Sequence, residues 1–258
     1  MKLRNWILPI VMCCTIFVSV SGAEEKEEPI PVVTATRAES VITVNGMMNE
    51  SAWRSAEPVE LVPDGNWEYE AEQKGESATV KLLYDDENLY VLFRVFDRDI
   101  CGSTTLEQID PFDPMKGGDL GDRVSIFLRP ADDTFYYSLW VNFANRTGTF
   151  LSPADGLEQF PSSFTGRKFD FQSATKVYGT PNDSIKTPDD ERYIVEIAIP
   201  WQELGKIAKS PKDGGKWLVA FSNIHYSRQL PSIMTLTFPK FNSEVFPLRE
   251  EYATLELK

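Results

Sequence analysis

The stretch YDDENLYVLFRVFD, residues 84–97, sets a polar tetrad, Asp85-Asp86-Glu87-Asn88, between the apolar runs 80–84 and 89–96. Asp and Asn side chains hydrogen-bond the backbone two residues on, so the tetrad predicts a tight turn. Folding there puts Tyr84 opposite Leu89, Leu82 opposite Val91, Val80 opposite Phe93 and Ala78 opposite Val95. All four pairs are apolar, and that face of the hairpin belongs in a core. The other face carries Thr79, Lys81, Leu83, Tyr90, Leu92, Arg94 and Phe96. It is too apolar for open water and too polar for a dry core, which suits a partly covered sheet or the floor of a groove.

The same period of two runs through the rest of the chain. Residues 123–129 (RVSIFLR) alternate Val124, Ile126 and Leu128 with Arg123, Ser125 and Phe127. In 135–143 (FYYSLWVNF), Tyr137, Leu139, Val141 and Phe143 share one face, and Tyr136, Ser138, Trp140 and Asn142 the other. Residues 192–199, 217–225 and 252–257 read as further strands, and Pro200-Trp201-Gln202-Glu203-Leu204 as a short helix with proline at its start. Strands at this spacing, joined by Gly/Pro/Asp-rich loops, predict an all-β fold, an antiparallel β-sandwich with few short helices.

The N-terminus reads as a leader. Lys2 and Arg4 precede an apolar run over 6–20, and Ser21-Gly22-Ala23 supplies small residues for cleavage after Ala23. An apolar run of about 15 residues falls short of the roughly 20 needed to span a bilayer. Residues 1–23 are therefore expected to be a signal peptide, with the mature protein secreted or periplasmic. Residues 24–36 (EEKEEPIPVVTAT) are expected to form a solvated linker and 37–258 a single domain. Cys13 and Cys14 leave with the leader, so Cys101 has no internal partner and reads as a small apolar core residue. Loss of Lys2 and Arg4 takes the formal charge from −13 to −15. So acidic a surface repels phosphate backbones and argues against nucleic acid, while neutral sugars and cations remain compatible.

Five elements, taken in order, resemble the family 9 carbohydrate-binding module-like domains of the DOMON-like β-sandwich group. They are Ile42-Thr43-Val44-Asn45-Gly46 with Asn49-Glu50-Ser51-Ala52-Trp53; the hairpin around Asp85–Asn88; Gly121-Asp122-Arg123-Val124-Ser125-Ile126-Phe127-Leu128; Tyr136-Tyr137 with Trp140-Val141-Asn142; and Tyr193-Ile194-Val195-Glu196-Ile197-Ala198-Ile199-Pro200-Trp201. The resemblance implies a jelly-roll-like sandwich that binds sugar without catalysis, beside a separate glycoside hydrolase. In such domains two Trp rings clamp a terminal sugar while polar side chains read its hydroxyls. Carried onto this sequence, the first clamp position falls at Asp119, the acidic sugar-binding position at Ser125 and the basic one at Trp140. Asn242 and Phe246 stand nearest the second clamp. Trp53 and Trp201 match positions that read as core.

The expected carbohydrate-binding set is therefore Trp140, as a substitute platform, with Asn142, Ser125, Arg94, Asn242 and Phe246. No residues are expected to be catalytic: G-x-S-x-G is absent, and no carboxylate pair is singled out. In 110–122 (DPFDPMKGGDLGD), Asp110, Asp113, Asp119 and Asp122 form an oxygen-rich loop of the kind that binds calcium. His225 is the single histidine, which excludes a zinc site of the usual His/Cys composition. Two weaker readings stay open. One is haem b held by His225 with a methionine (Met47, Met48, Met115 or Met234); the other is a sandwich that mediates protein contacts.

Overall fold

The computed structural model describes residues 29–63, 75–102, 121–153, 169–183, 189–226, 228, 233–240, 247 and 251–258. The leader 1–23 lies outside them. Twelve strands follow in chain order: β1 Val32–Arg37, β2 Val59–Pro63, β3 Ser77–Tyr84, β4 Asn88–Phe96, β5 Arg123–Pro130, β6 Phe135–Asn142, β7 Thr147–Pro153, β8 Gln172–Tyr178, β9 Arg192–Pro200, β10 Trp217–His225, β11 Met234–Phe238 and β12 Ala253–Leu257. The one α-helix among the described residues is α1, Trp201–Gly205, entered from Pro200 as expected.

The strands form two facing sheets. The first runs β7-β6-β5-β10, with β10 pairing β12 along its first half and β11 along its second. The second runs β2-β3-β4-β9-β8. Two strands belong to both sheets and close one side of the sandwich: β1 pairs β12 and then β3, and β2 pairs β3 and then β11. β1 occupies the end of the stretch expected to be linker. Val33 and Ala35 alternate into the core, and that burial holds the segment in the sheet.

The hairpin from which the fold was read has the expected register, with Ala78, Val80, Leu82 and Tyr84 opposite Val95, Phe93, Val91 and Leu89. Its turn is built on Asp85. One carboxylate oxygen accepts the N–H groups of Glu87 and Asn88, both at 2.8 Å, and the other accepts the Tyr90 hydroxyl at 2.7 Å. The Trp201 indole donates to the Asp85 carbonyl at 2.9 Å and ties α1 to the turn. Burial alone pushes the Asp85 carboxyl up, but these hydrogen bonds outweigh it and hold the pKa below the usual aspartate value.

The mixed face of the hairpin is a covered sheet, not a groove floor. Residues Ile42, Ala52, Trp53 and Ala56 pack over Leu83, Tyr90, Leu92, Ile194 and Ala198 as a second apolar layer. Lys81, one of the charges on this face, donates to the Trp53 carbonyl at 2.8 Å. Glu196, 1% exposed, anchors this cover from β9. It accepts the backbone N–H of Asn45 and Gly46 at 2.8 Å each and that of Met48 at 3.2 Å. Gly46 has φ +76°, and a Cβ there would come within 2.8 Å of the β8 backbone, so only glycine fits.

Candidate functional site

Side chains directly opposite in antiparallel strands share a face, so the strand registers decide which residues meet. Ser125 of β5 stands opposite Trp140 of β6 and Ser222 of β10, and Ser222 stands opposite Thr237 of β11. Trp140, Ser125, Ser222 and Thr237 thus form a row across the outer face of the first sheet, with Val124, Ile126, Leu139 and Phe221 turned into the core behind it. Neighbouring rows add Ser138 and Thr235. Beside them Phe127, Tyr136 and Tyr252 cluster, with the Arg129 guanidinium 4.9 Å from the centre of the Tyr252 ring.

All of these side chains are buried. The chemistry is nonetheless unlike a core, because five hydroxyl residues share one patch with aromatic rings. The Ser222 Oγ and the Tyr252 hydroxyl have no hydrogen-bond partner among the described residues. A buried hydroxyl without a partner costs about 1–3 kcal/mol, and such orphans mark places where a ligand or water completes the bonding.

The residues expected from sequence to bind sugar are divided by the fold. Trp140 and Ser125 are side by side in this row. Asn142 shares their face, but its carboxamide oxygen accepts the N–H groups of Ala144 and Arg146 at 3.0 and 2.8 Å, so it serves the β6–β7 turn. Arg94 is on the outer face of the other sheet, 4.6 Å over the Phe96 ring, and cannot share a ligand with Trp140. Asn242 and Phe246 lie outside the described residues. β7 occupies 147–153, and the Trp140 indole packs against the backbone of Gly148. Ser222, Thr237 and Tyr252 went unassigned; the alternation of 217–225 against Phe221 placed Ser222 on the outer face, but nothing in the sequence paired β10 with β5.

Asp110, Asp113 and Asp119 of the expected calcium loop also lie outside the described residues. Asp122 does not sit in a solvated loop. It is fully buried, and its oxygens accept the N–H groups of Cys101 and Tyr226, both at 2.6 Å. Burial first, and then Asp97, push its carboxyl pKa up. His225 is 2% exposed, with Nδ1 2.9 Å from Asp97 and 3.4 Å from Asp122. Burial alone lowers its pKa, but the two carboxylates raise it well above the ordinary value. An imidazole held in this way inside the sandwich is not presented to a haem. Met234 stands directly across from His225 on the adjacent strand, so the two cannot approach an iron from opposite sides. Cys101 is buried, as the sequence implied.

A separate open groove of about 1030 Å³ runs past the hairpin turn, lined by Asn88, Phe171, Pro200, Gln202, Lys206 and Lys212. Lys206 is engaged by Glu203 at 2.5 Å and Lys212 by the Asp86 carbonyl, so its cations already have partners.

Fold and site together define an all-β sandwich with a hydroxyl- and aromatic-lined face on one sheet. Residues 44–136 match the family model described as "Carbohydrate family 9 binding domain-like". Three solved structures are similar. One is a family 9 carbohydrate-binding module from Caldicellulosiruptor kristjanssonii in complex with cellotriose (TM-score 0.55, 18% identity, 88% of this chain and 93% of that chain). The same description in complex with glucose gives TM-score 0.53 at 18% identity, over 87% of this chain and 95% of that one. A carbohydrate-binding protein described as such by assignment, from Bacteroides uniformis, gives TM-score 0.60 at 13% identity, over 89% of this chain and 100% of that one. At these identities the likeness is one of fold. No curated protein matches the sequence.

Proposed function

We propose that this chain is an exported, non-catalytic carbohydrate-binding domain that holds an oligosaccharide on the outer face of β5, β6, β10 and β11, as an accessory to polysaccharide breakdown by a separate hydrolase. The family match and the sugar-bound structural neighbours support carbohydrate as the ligand class. The observation that carries the site is the row Trp140–Ser125–Ser222–Thr237 with the orphaned Ser222 Oγ. Sugar hydroxyls both donate and accept, which matches serine and threonine hydroxyls, and sugar C–H faces pack on aromatic rings. In a site shielded from water each such bond is stronger than at an open surface. The acidic and basic positions of the resembled family are Ser125 and Trp140 here, so a neutral, hydroxyl-reading site replaces a charged one.

The test is calorimetric and fluorescence titration with gluco-, xylo-, galacto- and uronic-type oligosaccharides, on the wild type and on Ser222→Val. One class should give saturable binding, weakened at least tenfold in the variant with its circular dichroism unchanged. A folded wild type that responds to none of the four classes would overturn the proposal, as would a variant that binds as tightly as the parent.

A further inference from the structure

The hydroxyl row on the outer face of the first sheet is bordered by a cation. The outward residues of β5 follow in the order Arg123, Ser125, Phe127 and Arg129, with Val124, Ile126 and Leu128 turned into the core between them. Same-face residues of one strand stand about 6.7 Å apart, so Arg123 lies one step along from Ser125. Across the sheet its neighbours are Asn142 of β6 and Ile224 of β10, and Thr235 of β11 completes that row. The rows of Arg123 and Ser125 thus lie side by side, at a spacing on the scale of one sugar ring.

Arg123 is only 9% exposed, yet no carboxylate among the described residues pairs with it. Its Nη1 donates to the Gly121 carbonyl at 3.5 Å, the outer limit of a hydrogen bond, and its Cζ lies 5.7 Å from the centre of the Tyr226 ring. The neighbouring side chains do not supply an anion. The Asn142 oxygen is taken by the N–H groups of Ala144 and Arg146, and Ile224 has no acceptor. Asp122, next in sequence, is turned to the other side of the sheet, where it accepts the N–H groups of Cys101 and Tyr226 and faces His225. A buried guanidinium without a counter-charge is costly. Here it stands one row from the orphaned Ser222 Oγ, so a single ligand with an anionic group and a hydroxyl would satisfy both.

We infer that the sugar held on this face is a uronic acid, its ring hydroxyls read by Ser125 and Ser222 and its carboxylate paired by Arg123; the inference rests on the carbohydrate-binding reading above. A guanidinium matches a carboxylate through two parallel N–H donors. The contact with Tyr226 draws on the charge of Arg123 and leaves in-plane N–H groups for oxygen acceptors. Ser125 and Trp140 keep the hydroxyl row itself neutral, so the charge that selects the ligand comes from the adjoining row. The formal charge of −13 on the whole chain does not oppose this. Exposed charges farther off than about 8 Å are screened at physiological salt, whereas Arg123 acts at contact in a shielded site, where the dielectric is low.

The experiment titrates the wild type by calorimetry with oligosaccharides in matched pairs, gluco against glucuronic and galacto against galacturonic. The methyl ester of each uronic member is added, which keeps the stereochemistry and lacks the charge. One uronic member should bind at least tenfold more tightly than both its neutral counterpart and its ester. That advantage should shrink as NaCl rises from about 50 to about 500 mM. Arg123→Gln should abolish the advantage with its circular dichroism unchanged, and Arg123→Lys, which keeps the charge without the fork, should recover part of it. A folded wild type that binds a neutral sugar or an ester as tightly as its uronic counterpart overturns the inference and leaves the proposed function standing. A uronic advantage that survives in a folded Arg123→Gln also overturns it. A folded wild type that binds none of the probes overturns both. The ester comparison needs no variant, so it decides the matter even where Arg123→Gln fails to fold.

Discussion

The Trp140 indole occupies the space that a side chain at Gly148 would need: a Cβ on Gly148 would lie 2.4 Å from three of its ring atoms. Gly148 stands directly opposite Trp140 on edge strand β7, so the glycine seats the ring against the sheet and fixes where it meets the hydroxyl row. Gly148→Ala must displace the ring, at a cost of about 1–3 kcal/mol for overpacking. The expected outcome is a shifted tryptophan emission and weaker glycan binding. Equal affinity in the parent and Gly148→Ala would show that the ring's seat is irrelevant to the ligand.

Arg94 and Asn142 separate affinity from stability. Arg94 is on the far sheet, so Arg94→Ala should leave oligosaccharide affinity unchanged and alter stability by less than about 1 kcal/mol. Asn142→Ala leaves the N–H groups of Ala144 and Arg146 without their acceptor, a loss of about 1–3 kcal/mol. Paired urea denaturation and sugar titration on both variants would check this. A large affinity loss in Arg94→Ala would place the ligand on the other sheet.

How much of this could be read from sequence follows from what is local. The Asp85 turn and the hairpin register are local, because a carboxylate that bonds its own turn and a period of two need no distant partner. The long, strongly alternating strands β5, β6, β9 and β10 were legible for the same reason. The edge strands β7 and β8 are shorter and half-exposed and β2 divides its pairing between two sheets, so none of these presents a clean alternation, while β1 alternates over only two inward residues, Val33 and Ala35, inside an acidic, Pro- and Thr-rich stretch. The site was legible only where it lay on adjacent strands: Ser125 and Trp140 meet because β5 and β6 are consecutive. Ser222 reaches them through the β5–β10 pairing, which joins residues about 100 apart and leaves no local mark.

Glu196 joins the opening Asn45-Gly46 motif to β9, and its carboxylate accepts three backbone N–H groups there. Bonds to a charged acceptor are worth about 1.5–3 kcal/mol each and do not add fully. Glu196→Ala should therefore lower stability by about 3 kcal/mol or more. Loss of the cover over Leu83, Tyr90 and Leu92 should appear as faster amide exchange in 42–56 than in β5 or β6. Uniform exchange across both regions would show that the cover is held by Trp53 packing alone.

Asp190 supplies the pH dependence. Its Oδ2 accepts the Ile100 N–H at 2.9 Å, while Oδ1 faces Gly179, where a Cβ would approach it to 2.3 Å. Burial first, and then Asp183, Asp97 and Asp189, raise its pKa to about 6, against 3.8 for an ordinary aspartate. Between those values the folded protein binds the proton and the unfolded chain releases it. The stability conferred by the protonated form is thus fully present below about 3.8 and lost as pH rises to about 6. Asp190→Asn keeps an oxygen for the Ile100 N–H and cannot ionise. Measured by urea midpoints from pH 4 to 7, the variant should gain on the parent as pH rises to 6 and hold that gain at 7. A difference that stays constant across the range would mean that Asp190 is ionised throughout, with its charge met by the surrounding backbone.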